Sequence, residues 1–137
     1  MFKFSAASNE QRAGVDSRLI AVSDRALELS AVDFGIPRDG GLRTAERQQE
    51  LYQGGKSNAD GYRNESYHQS GKALDFYAWV DGAASWHPGH LAMVAAALLQ
   101  AAGELGYRLT WGGLWSPVKT TDGIPHGWDA GHVQLED

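Results

Sequence analysis

The stretch that most constrains this chain is KALDFYAWV, Lys72 to Val80. As a β-strand it would point Leu74, Phe76, Ala78 and Val80 to one face and Ala73, Asp75, Tyr77 and Trp79 to the other. Both faces are apolar apart from Asp75, so the strand is expected to be covered on both sides. An unpaired carboxylate there would cost more than the packing returns. Asp75 therefore needs a cation or several hydrogen-bond donors, and the source of these bears directly on function.

Candidates stand nearby and at the far end of the chain. His68 lies seven residues before Asp75 with Gly71 between them, a spacing that lets a loop imidazole turn back toward the strand. Near the C-terminus, GWDAGHVQLE places His132 at the opening of a strand whose Val133 and Leu135 face inward, with Asp129 three residues earlier. There is no cysteine, so disulfides and thiolate metal sites are excluded and any metal must rest on His, Asp or Glu. A catalytic zinc site takes three N/O ligands, an open position for water, and an acid nearby that is not a ligand. His68, Asp75, His132 and Asp129 supply that set.

Taken singly, each has a plainer reading: Asp75 paired with Arg or backbone amides, Asp129 as a turn residue before Ala130 and Gly131. His87 and His90 in WHPGH also have ligand-like spacing. Pro88 marks a helix start there, so both are expected on the surface.

The 137 residues suit a single domain, 1–137, built on one core. Val15, Leu19, Val22, Ala26 and Leu29 form one stripe of a helix from about Ser17 to Ser30, capped by Asp16. A second, more polar helix is expected from the cap Thr44 to Gly54 and Gly55. A third, outlined by Leu91, Val94, Ala95, Leu98, Leu99, Ala102 and Leu105, ends at Gly106 and is expected to be the most buried. A short strand or irregular connection is expected over Asp33–Gly41, and short strands at Tyr107–Trp111 and at the C-terminus, with loops at 56–70 and 115–129. The fold class is α+β: a mainly antiparallel sheet packed with about three helices, and a zinc site at the sheet edge or cleft.

A net charge of −5 and the lack of a Lys/Arg cluster exclude nucleic acid as a partner. The longest apolar run, AMVAAALL, is too short to span a bilayer, so no membrane insertion is expected. The first residues contain no apolar signal segment. Synthesis in the cytoplasm without a signal peptide is the expectation, with release left to some other agent.

SYHQSGKALD fits S-x-H-x-x-G-x-A-x-D at Ser66, His68, Gly71, Ala73 and Asp75, and DAGH adds an acid three residues before a histidine. Together these resemble the D-alanyl-D-alanine carboxypeptidase superfamily of zinc peptidases. The whole chain, with its helix ending in ALELS and its GLRT segment, is similar to the compact phage endolysins that are L-alanyl-D-glutamate peptidases. The resemblance implies a hedgehog/D,D-peptidase-like fold and a monomer that acts on the peptidoglycan stem peptide after holin-type release. It implies Zn2+ held by His68, Asp75 and His132, and Asp129 as catalytic acid or base. It makes Arg43 of GLRT a holder of substrate or oxyanion, with Ser66 and His126 as further candidate substrate contacts. Only Asp122 precedes Asp129 in the loop, so calcium dependence is not expected. Two rival functions are a D,D-carboxypeptidase that trims terminal D-alanine and a zinc-stabilised wall-binding module without catalysis.

Overall fold

The apolar stripe of the first predicted helix is buried at Val15, Leu19, Val22 and Ala26, whereas Leu29 at its end is exposed. The computed structural model describes residues 1–115 and 129–137. Four α-helices are found among them: α1 (Ala6–Arg12), α2 (Ser17–Leu29), α3 (Ala45–Gln53) and α4 (Pro88–Leu105). The strands are β1 (Asp33–Gly35), β2 (Ala73–Asp75), β3 (Tyr77–Val80), β4 (Ala83–Ser85), β5 (Leu109–Trp111) and β6 (His132–Leu135). They form two three-stranded antiparallel sheets, in the orders β1-β3-β4 and β2-β6-β5. Helix α2 packs on α4, which in turn packs on β3 and β5. The fold is thus a small α+β domain.

Local chemistry sets the helix ends. Asp16 caps α2 by accepting from the Arg18 N–H, and Thr44 caps α3 by accepting from the Arg47 N–H. Pro88 opens α4 and Gly106 closes it in the left-handed region, at φ 80°. His87 is the exposed cap of α4, while His90 shares a hydrogen bond with Ser85 Oγ at 2.7 Å.

Two expectations need correction. The first is the single strand through Asp75, which is two strands in different sheets. Asp75 pairs with His132 in β6, Tyr77 pairs with Gly35 in β1, and Phe76 between them donates its N–H to Gly131 O. The Phe76 ring is buried edge-on to Phe34, centroids 6.5 Å apart. Because the chain changes partner there, only the start of the Asp75 face is covered. Trp79 remains 45% exposed.

The second correction is α1, a helix without an apolar stripe. Its buried residues are Ser8 and Arg12, and they serve polar contacts. Ser8 Oγ accepts from the Ile36 N–H, Gln11 Oε1 accepts from the Asp39 N–H, and Arg12 reaches Asp24. Gly41 lies so close to this helix that a Cβ on it would sit 1.7 Å from the Gln11 carbonyl oxygen. Helix α1 is therefore a brace for the loop 36–41.

Candidate metal centre and its cleft

Each side chain of the centre is aimed by its local backbone. The 3-10 turn Tyr67–Ser70 is capped by Ser66, whose Oγ accepts from the His68 N–H, while the Gln69 side chain accepts from the Ser66 N–H. Gly71 ends the turn at φ 72°, with its Cβ position 3.1 Å from Gly14 O, and a side chain there would be strained as well as crowded. The reversal brings the His68 imidazole, 2% exposed, back onto β2. Asp75 and His132 are direct cross-strand neighbours in the β2–β6 register and so share a face. One ligand atom from each of the three residues lies within 4.8 Å of the others.

The protons on the two rings test whether a cation belongs there. His68 Nδ1 lies 2.9 Å from Gly41 O, a pure acceptor, so Nδ1 carries the hydrogen and the neutral ring bears its lone pair on Nε2. That Nε2 lies 3.2 Å from Asp75 Oδ1. Gln134 donates its amide to Glu136 Oε1, which leaves its own Oε1 to accept from His132 Nε2 at 2.9 Å. His132 Nδ1 then bears the lone pair, 3.0 Å from the same Asp75 oxygen. Without an ion both contacts need an extra proton, making two imidazoliums with ring centroids 5.2 Å apart. A divalent cation removes the conflict, because two neutral imidazoles and a carboxylate then direct lone pairs at one point. The donor set fits a metal.

The charges agree. Burial works to raise the Asp75 carboxyl, yet hydrogen bonds from His132 and His68 hold it far below the usual carboxylate range. Burial works to lower His132, yet the hydrogen bond and charge of Asp75 keep its imidazole above the ordinary value. Asp129 is the opposite case. Burial pushes its carboxyl up, against the charge of His132, and its Oδ2 stands 3.8 Å from His132 Nδ1. It sits beside the trio and outside it.

Arg43 is where the structure differs most from the expected substrate contact. Its Nε donates to Asp39 O, one terminal nitrogen donates to Gln48 Oε1, and the other to Asp75 Oδ2 at 3.0 Å. Each guanidinium nitrogen is engaged by the protein, and Arg43 supplies the cation that the strand at Asp75 requires. Ser66 likewise uses its hydroxyl as a cap. His126, Trp128 and Asp122 lie outside the described residues.

Two contributors escaped the sequence reading. Gln134 fixes the His132 tautomer, and the i, i+2 spacing on β6 that puts it on the His132 face was the signal available. The carbonyl of Gly41, which fixes His68, has no side-chain signal at all. Arg43, His68, Asp75, His132 and Gln134 line a cleft of about 480 Å3 together with Lys56, Tyr67, Trp115 and Asp129. The Trp115 and His132 ring centroids are 5.4 Å apart.

Residues 1–136 match the family described as phage L-alanyl-D-glutamate peptidase. The chain belongs to that family. It is 37% identical over 138 residues to the L-alanyl-D-glutamate peptidase of Escherichia phage T5, with 98% of each chain covered. Among solved structures it is similar to the L-Ala D-Glu endopeptidase ChiX of Serratia marcescens, with a TM-score of 0.78 and 34% identity over 98% of this chain and 90% of that one. In this member of the family, the shared fold carries the His68, Asp75 and His132 cluster between a 3-10 turn and two paired strands.

Proposed function

We propose that this chain is a monomeric zinc-dependent endopeptidase that hydrolyses the L-alanyl–D-glutamate bond of the peptidoglycan stem peptide. The observation that carries the chemistry is the convergence of His68 Nε2, Asp75 Oδ1 and His132 Nδ1, each ring nitrogen facing the carboxylate with a lone pair. The bond is proposed from the family and from the names of the two relatives. Zn2+ is the proposed ion because two imidazoles and one carboxylate with an open position are a hydrolytic zinc set. Bound there, it supplies Lewis acidity, polarising a carbonyl oxygen and lowering the pKa of water to about 7.

The remaining work falls to the chain itself. Asp129 takes a proton from the attacking water as the C–O bond forms, and gives one to the departing glutamyl nitrogen as the C–N bond breaks. Its raised carboxyl suits this exchange, and its place outside the ligand trio leaves it free to move protons. Arg43 acts through Asp75, holding the carboxylate with Oδ1 turned to the two imidazoles. Gln134 and Gly41 hold the rings. The wall is then the place of action, reached by holin-type release, and fractionation before and after membrane permeabilisation checks that route.

The decisive experiment digests purified peptidoglycan and weighs the fragments, with chelator and with chelator followed by Zn2+. The expected products carry a new glutamyl amino terminus, vanish with chelator and return with the ion. Release of terminal D-alanine alone, or activity indifferent to chelator, would refute the proposal.

A further inference from the structure

Resting on that reading, a further residue of the cleft acquires a role. A glutamyl residue within a peptide has two carboxyl groups, and whichever one continues the chain, the other remains a free carboxylate close to the scissile amide. A cleft that reads this residue needs a cation for it. Among the described residues two cations line the cleft, Arg43 and Lys56. Every nitrogen of the Arg43 guanidinium is already bonded within the protein, to Asp39 O, Gln48 Oε1 and Asp75 Oδ2. Moving it to the substrate would strip Asp75 of its counter-charge.

Lys56 is in a different state. It follows Gly54 and Gly55 at the end of α3, and its backbone is fixed by a hydrogen bond from its N–H to Leu51 O. Its side chain is exposed, and among the described residues its ammonium has no ion pair or hydrogen bond. Glu65 lines the same cleft and does not pair with it. By contrast Arg18, Arg25, Arg47 and Lys72, which lie outside this cleft, each hold a carboxylate. A lysine on an anchored turn, facing a cleft whose other cation is occupied, is a point charge ready for an incoming anion.

We propose that Lys56 is a specificity residue that receives the free carboxylate of the glutamyl residue next to the scissile bond. The test uses two synthetic stem peptides that differ only in this group, a carboxylate in one and a carboxamide in the other. Wild-type protein is expected to favour the carboxylate peptide about fivefold in kcat/KM, the scale of a solvent-exposed ion pair. In Lys56→Met the ratio falls to about one, and in Lys56→Arg the preference is kept. A structural role would lower both rates together and leave the ratio untouched. Equal cleavage of both peptides by the wild type, or a preference that survives in Lys56→Met, overturns the Lys56 assignment alone. Cleavage of neither peptide between alanine and glutamate overturns the bond assignment and this proposal with it.

Discussion

The surroundings of Asp75 and those of Asp129 place the same functional group in opposite settings. Asp75 is engaged at both oxygens: Arg43 donates to Oδ2, and the His68 and His132 imidazoles both face Oδ1. Its carboxyl is held far below the ordinary range and stays anionic. Among the described residues the Asp129 carboxylate stands at a loose 3.8 Å from His132 Nδ1, and burial moves its carboxyl the other way. Two carboxylates in one cleft are thereby divided by environment, one held well below the ordinary carboxylate range and the other moved above it. The two settings suit the two roles proposed above, metal ligand for Asp75 and proton carrier for Asp129.

The largest effect expected from breaking this division lies at Asp129. Asp129→Ala should lose about 10²–10⁴-fold in kcat/KM, the usual contribution of a positioned acid–base group, while metal content and thermal stability stay near wild type. Turnover within tenfold of wild type would remove Asp129 from the proton path. Asp75→Asn attacks the other half. It should abolish stoichiometric metal uptake, and because Arg43 would be left largely buried without its counter-charge, it should cost the metal-free fold about 3 kcal/mol in chemical denaturation. If instead that variant binds Zn2+ as the wild type does, the carboxylate is not a ligand.

Gln134→Leu sharpens the comparison further out. With no acceptor for its Nε2–H, His132 is no longer held in the tautomer that presents Nδ1, and Zn2+ affinity measured by competition with a chelating dye should fall about 10–100-fold. An unchanged affinity would mean that the β6 backbone alone orients the ring.

The smallest effect is one of pH. In the metal-free protein His132 lies above its ordinary value, so its charged pairing with Asp75 contributes stability fully below the unfolded pKa of about 6.5, and that contribution is lost as pH rises through the raised value. Asp75, held low, contributes above about pH 4 and loses its contribution as pH falls through its depressed value. Metal binding must displace the His132 proton, so affinity should weaken about tenfold per pH unit below the raised His132 value. Metal-free and loaded protein should therefore drift in opposite directions in thermal melts as pH rises from about 6.5 through the raised His132 value. Parallel drift would mean that His132 does not titrate against the metal.

Much of this was legible in the sequence because it rests on local chemistry. Asp16, Thr44 and Gly106 announce helix ends that the structure reproduces, and the stripe from Val15 to Ala26 is buried as its period requires. The pairing of His68 with Asp75 was readable from a spacing of seven residues, and His132 joined them through the motif resemblance rather than through any register that could be counted. What escaped had no such period. Helix α1 buries Ser8 and Arg12, not an apolar face, so hydrophobic spacing is blind to it. The change of sheet at Phe76 depends on which strands lie alongside, a fact about residues far away in the chain. The internal bonds of Arg43 escaped for a similar reason, since its three partners come from three separate segments.

The close packing of Gly41 on Gln11 has a practical corollary for anyone who wishes to attach something to this protein. An affinity tag or partner domain that pulls the opening helix away would release the Gly41 carbonyl from behind, and with it the grip on His68. Trimming the first dozen residues should thus blunt metal uptake from a distance, although not one of them touches the ligands.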